Sequence, residues 1–279
     1  MDAPELVALL AGRRVAVLTG AGISTDSGIP DYRGPDSPPA NPMTIRQFTS
    51  SREYRQRYWA RNHLGWRHMA QTRPNAGHRA LAALERAGVV TGVITQNVDL
   101  LHTKAGSRTV INLHGTYARV VCLDCGHTMS RAALAERLEA ANPGFTERAE
   151  LLGGPAVAPD ADAIVADTDT FRFVDCPACA GMLKPDIVYF GESVAKMVVD
   201  QAYSLINDSD ALLVAGSSLT VFSGYRFVRR AAAQQIPVAI VNRGPTRGDD
   251  LAAVKVDAGC SPLLTLLAQE LSGSKPAVP

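Results

Sequence analysis

A short apolar segment that ends on two glycines is the feature that most constrains the fold of this chain. Residues 14–19 (RVAVLT) have the branched, apolar character of a buried parallel strand. Gly20 and Gly22 follow directly, so backbone N–H groups can close on a phosphate, and the N-terminus of a following helix would favour its negative charge. A complete dinucleotide fingerprint has a third glycine, where this chain has Thr25. The segment alone therefore fits an ordinary strand-to-helix turn as well as a nucleotide site.

Similar apolar segments recur along the chain and alternate with helical ones. Further strands are expected at residues 89–97, 110–115, 187–190, 211–215, 237–242 and 254–256. Helices are expected at residues 74–88, 193–207, 224–235 and 261–271, with a pair of helices over residues 43–71. This alternation is typical of a parallel sheet wound with helices. The predicted fold class is therefore α/β, with a Rossmann-like parallel sheet.

The alternation is interrupted once, which indicates a small module inserted into the larger fold. A chain of 279 residues with 46% hydrophobic residues can form one large domain that carries a small one. The expected division is a Rossmann-like domain (1–42, 72–116 and 183–271), a helical cover of its cleft (43–71), an inserted module (117–182) and a disordered tail (272–279).

Charge and hydropathy exclude several classes of partner. Lys and Arg number 28 against 27 Asp and Glu, so the net charge of +1 gives no electrostatic case for binding nucleic acid or a membrane surface. No apolar run approaches the roughly 20 residues that span a bilayer. Asp2 and Glu5 precede the first basic pair, unlike a signal peptide. We therefore expect a cytoplasmic protein and favour a monomer.

Four of the five cysteines form two C-x-x-C pairs, at opposite ends of the inserted module. Each pair supplies two thiolates from one tight turn, and together they match a tetrahedral zinc site. Four thiolates leave no open position, so the zinc would be structural. A redox dithiol would need only one pair, and His127 is an alternative ligand beside the first pair. The expected ligands are Cys122, Cys125, Cys176 and Cys179.

Polar residues follow five of the expected strands. They are the loop at 20–33, Gln96-Asn97-Val98-Asp99, His114-Gly115, Gly216-Ser217-Ser218 and Asn242-Arg243-Gly244. Because the carboxyl ends of parallel strands meet at one edge of a sheet, these groups predict a ligand with several hydroxyls and phosphates. His114 is the best candidate for a general base, since it leaves a buried strand directly into a glycine. A structural role is expected for His63, His68, His78 and His102.

In combination these motifs resemble the sirtuin family, the NAD-dependent protein-lysine deacylases. The resemblance spans roughly residues 9–271 and includes GAGISTDSGIPDYRG, TQNVDLLH, NLHG, both cysteine pairs, KPDIVYFGE, GSSLTV and IVNRGPTRGDD. The last motif, with YWARN at 58–62 and the long arm between the cysteine pairs, is similar to the class II branch, which includes bacterial members and a mitochondrial one.

The resemblance implies NAD as a co-substrate and one structural zinc ion. The residues that it assigns to NAD are Gly20, Ala21, Gly22, Ile23, Ser24, Ile29, Pro30, Asp31, Tyr32, Arg33, Gln96, Asn97, Val98, Asp99, Gly216, Ser217, Ser218, Asn242, Arg243, Gly244 and Cys260. It assigns the catalytic roles to His114 and Asn97. An extended acyl-lysine peptide would pair as an added strand with Val188, Tyr189, Phe190, Gly191 and Glu192.

The implied chemistry begins when the acyl-lysine carbonyl oxygen attacks the ribose as nicotinamide leaves, giving an alkylamidate. His114 then takes a proton from a ribose hydroxyl, and the acyl group ends on ADP-ribose. Tyr58 and Arg61 have the Tyr-x-x-Arg spacing that holds acidic acyl groups in some sirtuins, so a succinyl-type substrate is an open hypothesis. Two other functions remain open: a protein mono-ADP-ribosyltransferase and a non-catalytic NAD or ADP-ribose sensor.

Overall fold

The computed structural model describes residues 3–34, 42–151 and 168–273. The strands are β1 Val15–Thr19, β2 Val90–Thr95, β3 Val110–Asn112, β4 Gly115–Cys122, β5 Thr128–Ser130, β6 Leu183–Ile187, β7 Ala211–Ala215, β8 Val238–Val241 and β9 Val254–Val256. The helices are α1 Ala3–Leu10, α2 Ile45–Ser50, α3 Arg52–Gln71, α4 Ala76–Arg86, α5 Leu101–Lys104, α6 Arg131–Ala141, α7 Phe145–Leu151, α8 Lys196–Asn207, α9 Phe222–Ala233 and α10 Cys260–Leu271.

Six of the strands form a parallel sheet in the order β3-β2-β1-β7-β8-β9. All five residues of β1 are buried, as are all five of β7, which explains their continuous apolar sequences. The chain runs outward from β1 in one direction through β2 and β3, and in the other through β7, β8 and β9. The order therefore reverses between β1 and β7, and ligands bind beyond the carboxyl ends of the strands at such a point.

Alternate residues of β1 face two separate cores, because side chains point to opposite sides along a strand. Val15 and Val17 pack with residues of α1, α4 and α10, whereas Ala16 and Leu18 pack with residues of α8 and α9. Helices thus cover both faces of the sheet, and the predicted Rossmann-like arrangement is confirmed.

A second, antiparallel sheet has the order β5-β4-β6, and it corrects one expected strand. The strand predicted at 187–190 was wrong: β6 ends at Ile187 and pairs with β4, not with the parallel sheet. The chain turns after it because the Glu192 carboxylate accepts from the Tyr189 N–H (2.7 Å) and the Glu192 N–H donates to the Tyr189 carbonyl (3.0 Å).

Two helices lie over the cleft as expected, and they share a core with the cysteine-bearing segment. Thr44 and Gln47 form a capping box at the start of α2, and the Ser51 side chain caps α3. Phe48 and Trp59, from these helices, pack in one buried cluster with Cys122 and Cys176. The division into three parts stays a prediction, and most of the predicted tail lies outside the described residues.

Within the parts of the chain that the structure describes, no helix combines the length and the apolar character that crossing a bilayer requires.

Candidate active site

A cavity of about 1190 Å³ lies at the carboxyl edge of the parallel sheet. All five predicted polar clusters contribute to it. The predicted NAD residues in its lining are Gly20, Ala21, Gly22, Ser24, Ile29, Asp31, Tyr32, Arg33, Gln96, Asn97, Val98, Asp99, Gly216, Ser217, Ser218, Asn242, Arg243 and Gly244. Asp257 also lines the cavity and was missed, although it follows β9 directly as the other residues follow their strands.

Three residues expected to bind NAD do not line the cavity: Ile23, Pro30 and Cys260. Ile23 is buried in the core that covers α4 and α10. Cys260 is buried in the same core with its Sγ 3.9 Å from the Val241 carbonyl oxygen, and burial raises the pKa of its thiol to about 12. The apolar character of both side chains explains their place inside the fold.

The positions after β1 must be glycines because the backbone there lies close to the loop after β7. A Cβ on Gly20 would lie 2.8 Å from the Gly216 carbonyl oxygen, which also accepts a hydrogen bond from the Gly22 N–H at 2.8 Å. The helix expected after these glycines is absent from this described segment: two short 3-10 turns, Ala21–Ile23 and Thr25–Ser27, occupy it. Thr25 replaces the third glycine without strain, because its hydroxyl donates to the Gly22 carbonyl (3.1 Å).

A hydrogen-bonded network joins the loops after β1 and β2. The Asn97 side-chain amide donates to the Gly20 carbonyl (3.0 Å) and to the Ser24 hydroxyl (3.1 Å), which donates to the Asp99 carboxylate (2.7 Å). Burial raises the pKa of Asp99 above its ordinary value, while hydrogen bonds from Leu101 and Ser24 act in the opposite direction. The network holds an amide and a carboxyl group side by side at the cavity wall.

Gln96 connects the same edge to the far half of the sheet. Its side-chain amide donates to the Ser217 hydroxyl at 2.7 Å, which ties the loop after β2 to the loop after β7. Beyond β8, the Asn242 amide donates to the Arg243 carbonyl (2.7 Å), and the Gly244 N–H donates to the Asp257 carboxylate (3.1 Å). The cavity floor is thus a continuous set of hydrogen-bonded loops from β2 to β9.

His114 is held between two hydrogen bonds in the middle of this edge. Its Nδ1 lies 2.8 Å from the Gln96 carbonyl oxygen, and its Nε2 lies 2.8 Å from the Ser223 hydroxyl. Because a carbonyl only accepts, Nδ1 carries the proton and the neutral ring has its lone pair at Nε2. Burial lowers the pKa of His114, and the bond to Gln96 partly opposes that effect. A neutral imidazole at this place suits a general base.

The segment assigned to the peptide also lines the cavity, from Val188 to Glu192. The Val188 N–H donates to the His114 carbonyl (2.9 Å), which anchors the segment beside the histidine. Glu192 is paired with Lys184 at 2.8 Å and so holds the turn that follows β6. Phe190 lines the cavity and is 41% exposed.

Tyr58 and Arg61 are not brought together at the cavity. Tyr58 lines it with its hydroxyl 3.4 Å from that of Tyr117, another lining residue, which no sequence motif had singled out. Arg61 is half-buried and is not among the lining residues. The i, i+3 spacing on α3 is therefore not sufficient to bring both side chains to this wall.

The four predicted zinc ligands lie together, with all four sulfur atoms within 4.8 Å of one another. The Cys122 and Cys179 sulfurs are 3.6 Å apart, and those of Cys125 and Cys176 are 3.8 Å apart. Zn–S bonds of about 2.3 Å in a tetrahedron place sulfurs about 3.8 Å apart, so the residues fit one structural zinc ion. His127 is not part of this described cluster; its carbonyl accepts from the Cys122 N–H (2.8 Å).

The fold and the site together define a nucleotide-binding α/β protein with a four-thiolate metal module. Residues 20–223 match the model of the Sir2 family, and the chain belongs to that family. The predicted sirtuin resemblance is therefore confirmed.

Known relatives agree with this assignment along nearly the whole chain. NAD-dependent protein deacetylase 1 of Mycobacterium avium (strain 104) is 79% identical over 271 residues, covering 97% of this chain and 96% of the relative. The mitochondrial NAD-dependent protein lipoamidase sirtuin-4 of Bos taurus is 44% identical over 262 residues, covering 91% of this chain and 82% of the relative. This similarity supports the class II resemblance. A solved structure described as "Sir2-p53 peptide-NAD+" has a TM-score of 0.77 and 31% identity, and covers 97% of this chain and 98% of its own.

Proposed function

We propose that this protein is an NAD-dependent protein-lysine deacylase that transfers the acyl group to ADP-ribose and releases nicotinamide. The observation that carries the proposal is the position of His114, whose Nε2 faces one cavity lined by both the dinucleotide-type loops and the peptide segment. A sensor that only binds a nucleotide needs no neutral imidazole there. The relative from Mycobacterium avium is itself named a deacetylase.

The cavity residues suit NAD from one end to the other. Gly20 and Gly22 line the cavity without side chains, which leaves room for a pyrophosphate, and Asn97 and Asp99 supply polar groups for a carboxamide. NAD, when bound, supplies a glycosidic bond that breaks with nicotinamide as the leaving group. The buried carboxyl of Asp99 and the tightly bonded loop around it limit the water that reaches this bond.

His114 then moves one proton. A sugar hydroxyl that reaches its Nε2 gives up its proton, the O–H bond breaks, and an N–H bond forms on the imidazole. The proton on Nδ1 stays in its hydrogen bond to the Gln96 carbonyl, which stabilises the imidazolium. The resulting oxygen nucleophile lies beside the segment at 188–192, where the acyl-lysine is proposed to bind.

The test is the product formed from NAD and an acetyl-lysine peptide. We expect nicotinamide, free lysine peptide and acetylated ADP-ribose in equal amounts by mass spectrometry. His114→Asn, which retains an N–H for Gln96 but has no basic nitrogen, should lower acyl transfer by about a hundredfold or more while the Kd for NAD changes by less than about tenfold. ADP-ribose on the protein substrate with the acyl group intact would instead identify a mono-ADP-ribosyltransferase.

For the acyl group we propose uncharged chains over succinyl or glutaryl. The aromatic side chains of Tyr58, Tyr117 and Tyr189 line one side of the cavity, and Arg61 does not line it. We expect acetyl peptides to be turned over faster than succinyl peptides, and Arg61→Ala to leave their ratio unchanged. A loss of succinyl turnover alone in that variant would restore the acidic-acyl hypothesis.

The proposal includes a monomeric, cytoplasmic protein. Its four zinc-site thiolates require a compartment that keeps cysteines reduced, and all five cysteines are free in the structure. Light scattering after gel filtration should give the mass of one chain, and cell fractionation should recover the protein with cytoplasmic markers.

A further inference from the structure

One hydroxyl that the proposed reaction does not use contacts the proposed base directly. The Ser223 Oγ lies 2.8 Å from His114 Nε2, and both residues line the cavity. Ser223 is the second residue of α9, so the rigid first turn of a 12-residue helix fixes its place. The Gly224 N–H donates to the Val221 carbonyl (3.2 Å) and closes that turn.

The direction of this hydrogen bond follows from the other side of the ring. The Gln96 carbonyl accepts from Nδ1, so a neutral imidazole has an acceptor at Nε2 and the Ser223 hydroxyl donates to it. The ring is thus bonded at both nitrogens, by the loop after β2 and by α9. The Gln96 carbonyl keeps the proton on Nδ1, and the Ser223 hydroxyl fixes the orientation of the ring; without that hydroxyl the ring can tilt about its bond to Gln96.

We propose that Ser223 is a positioning residue for His114, which holds the imidazole in the orientation for proton removal until a sugar hydroxyl takes its place at Nε2. The inference rests on the proposed role of His114 as the base. When the sugar hydroxyl arrives, the serine hydroxyl rotates away and keeps its own proton. The proton that His114 takes comes from the sugar, so the step balances without a further reactant.

The expected effects of substituting Ser223 distinguish proton removal by His114 from the earlier release of nicotinamide. Ser223→Ala should slow acyl transfer by about two- to tenfold, because the ring is no longer held in place before the sugar hydroxyl arrives, while KM for NAD and the exchange of labelled nicotinamide into NAD stay unchanged. Ser223→Thr retains a hydroxyl and should recover most of the lost rate. An equal loss in exchange and in acyl transfer, or no recovery with threonine, would overturn the proposal.

A spectroscopic test needs no turnover. In protein with ¹⁵N-labelled histidine, the His114 ring should appear as the single tautomer protonated at Nδ1, and Ser223→Ala should shift the Nε2 resonance while that tautomer is retained. An unchanged His114 spectrum in Ser223→Ala would refute the contact. If instead His114→Asn retained full acyl transfer, the base assignment would fail whatever the spectrum showed, so the two failures are distinguishable.

Discussion

At the scale of single residues, the chemistry of this site depends on how the fold sets protonation. His114 is half-buried between Gln96 and Ser223, and burial is the largest influence on its pKa. A histidine that serves as a base must be neutral before the reaction, and burial favours that form because the charged ring loses hydration.

The pH dependence of activity follows from the direction of that pKa shift. Because the pKa of His114 is lowered from 6.5, the neutral base persists as the pH falls below 6.5, and activity is lost only at lower pH. The acid limb of kcat/KM for NAD should therefore have its midpoint below pH 6.5. A midpoint above that value would mean that another group controls the limb.

Gly216 offers a second residue-scale prediction. Its φ is +68°, and a Cβ there would lie 2.2 Å from the Ile23 backbone nitrogen. Gly28 is the matched control, since its φ is +84° and a Cβ would meet nothing within 4 Å. We expect Gly28→Ala to cost about 1–2 kcal/mol of unfolding free energy and Gly216→Ala clearly more, with about tenfold or greater loss of NAD affinity. Denaturant unfolding measures the free energy of unfolding, and calorimetric titration measures the affinity for NAD. An equal loss of unfolding free energy in the two variants would contradict the close approach of Gly216 to the Ile23 backbone.

At the scale of elements, helix α4 carries a histidine with a structural role. Asn75 and His78 cap its first turn reciprocally, and His78 lies against His102 with ring centroids 4.8 Å apart. The His102 Nε2 is 2.9 Å from the Thr19 hydroxyl, so the pair connects the start of α4 with the end of β1. These contacts place His78 and His102 in the interior, as the sequence predicted.

The buried His78 at the start of α4 should make the free energy of unfolding depend on pH. Burial lowers the pKa of His78 from 6.5 to about 4, so the unfolded chain takes up its proton first as the pH falls. The contribution is fully present above pH 6.5, is lost as the pH falls toward about 4, and amounts to about 3 kcal/mol. His78→Gln keeps a capping side chain that does not titrate, and should weaken the pH dependence of the unfolding free energy over this range. The exposed His68, replaced by Gln, should leave the pH dependence unchanged; a parallel effect of both variants would contradict the assignment.

At the scale of the whole molecule, the cysteine-bearing segment packs behind the wall of the cavity. Cys122 and Cys176 belong to the same buried cluster as Ile29 and Tyr189, and both of these line the cavity. This segment therefore supports the side of the cavity formed by Ile29 and Tyr189, while the edge formed by the strand ends depends on the parallel sheet and its own two cores.

Removal of zinc should destabilise the antiparallel sheet β5-β4-β6 and leave the parallel sheet stable. With Cys176→Ser, or after chelation, we expect amide exchange to accelerate by about tenfold or more in β4, β5 and β6, and acyl transfer to fall. Amides of β1 and β7 should keep their protection. Cys260→Ala is the control, because that thiol lies in a different core and outside the zinc cluster. Uniform loss of protection across both sheets would show that the module and the sheet unfold as one unit.

The sequence predicted those features that depend on local pattern. The apolar segment at 14–19 is β1 in the centre of the sheet, and the polar residues after each strand meet at one edge because parallel strands point the same way. The cysteine spacing likewise predicted a closed cluster, since two residues between ligands place both thiolates on one turn.

Contacts between distant segments were decided only by the tertiary structure. Ser223 reaches His114 across 109 positions, and Tyr117 reaches Tyr58 across 59, with no periodic signal to connect them. The segment at 187–190 has strand-like composition, yet its turn is set by Glu192 and Lys184. The packing of α3 against its neighbours, and not the spacing of its residues, decides that Tyr58 lines the cavity and Arg61 does not. A local pattern fixes which face of an element is apolar, but the packing of elements against one another fixes which side chains meet.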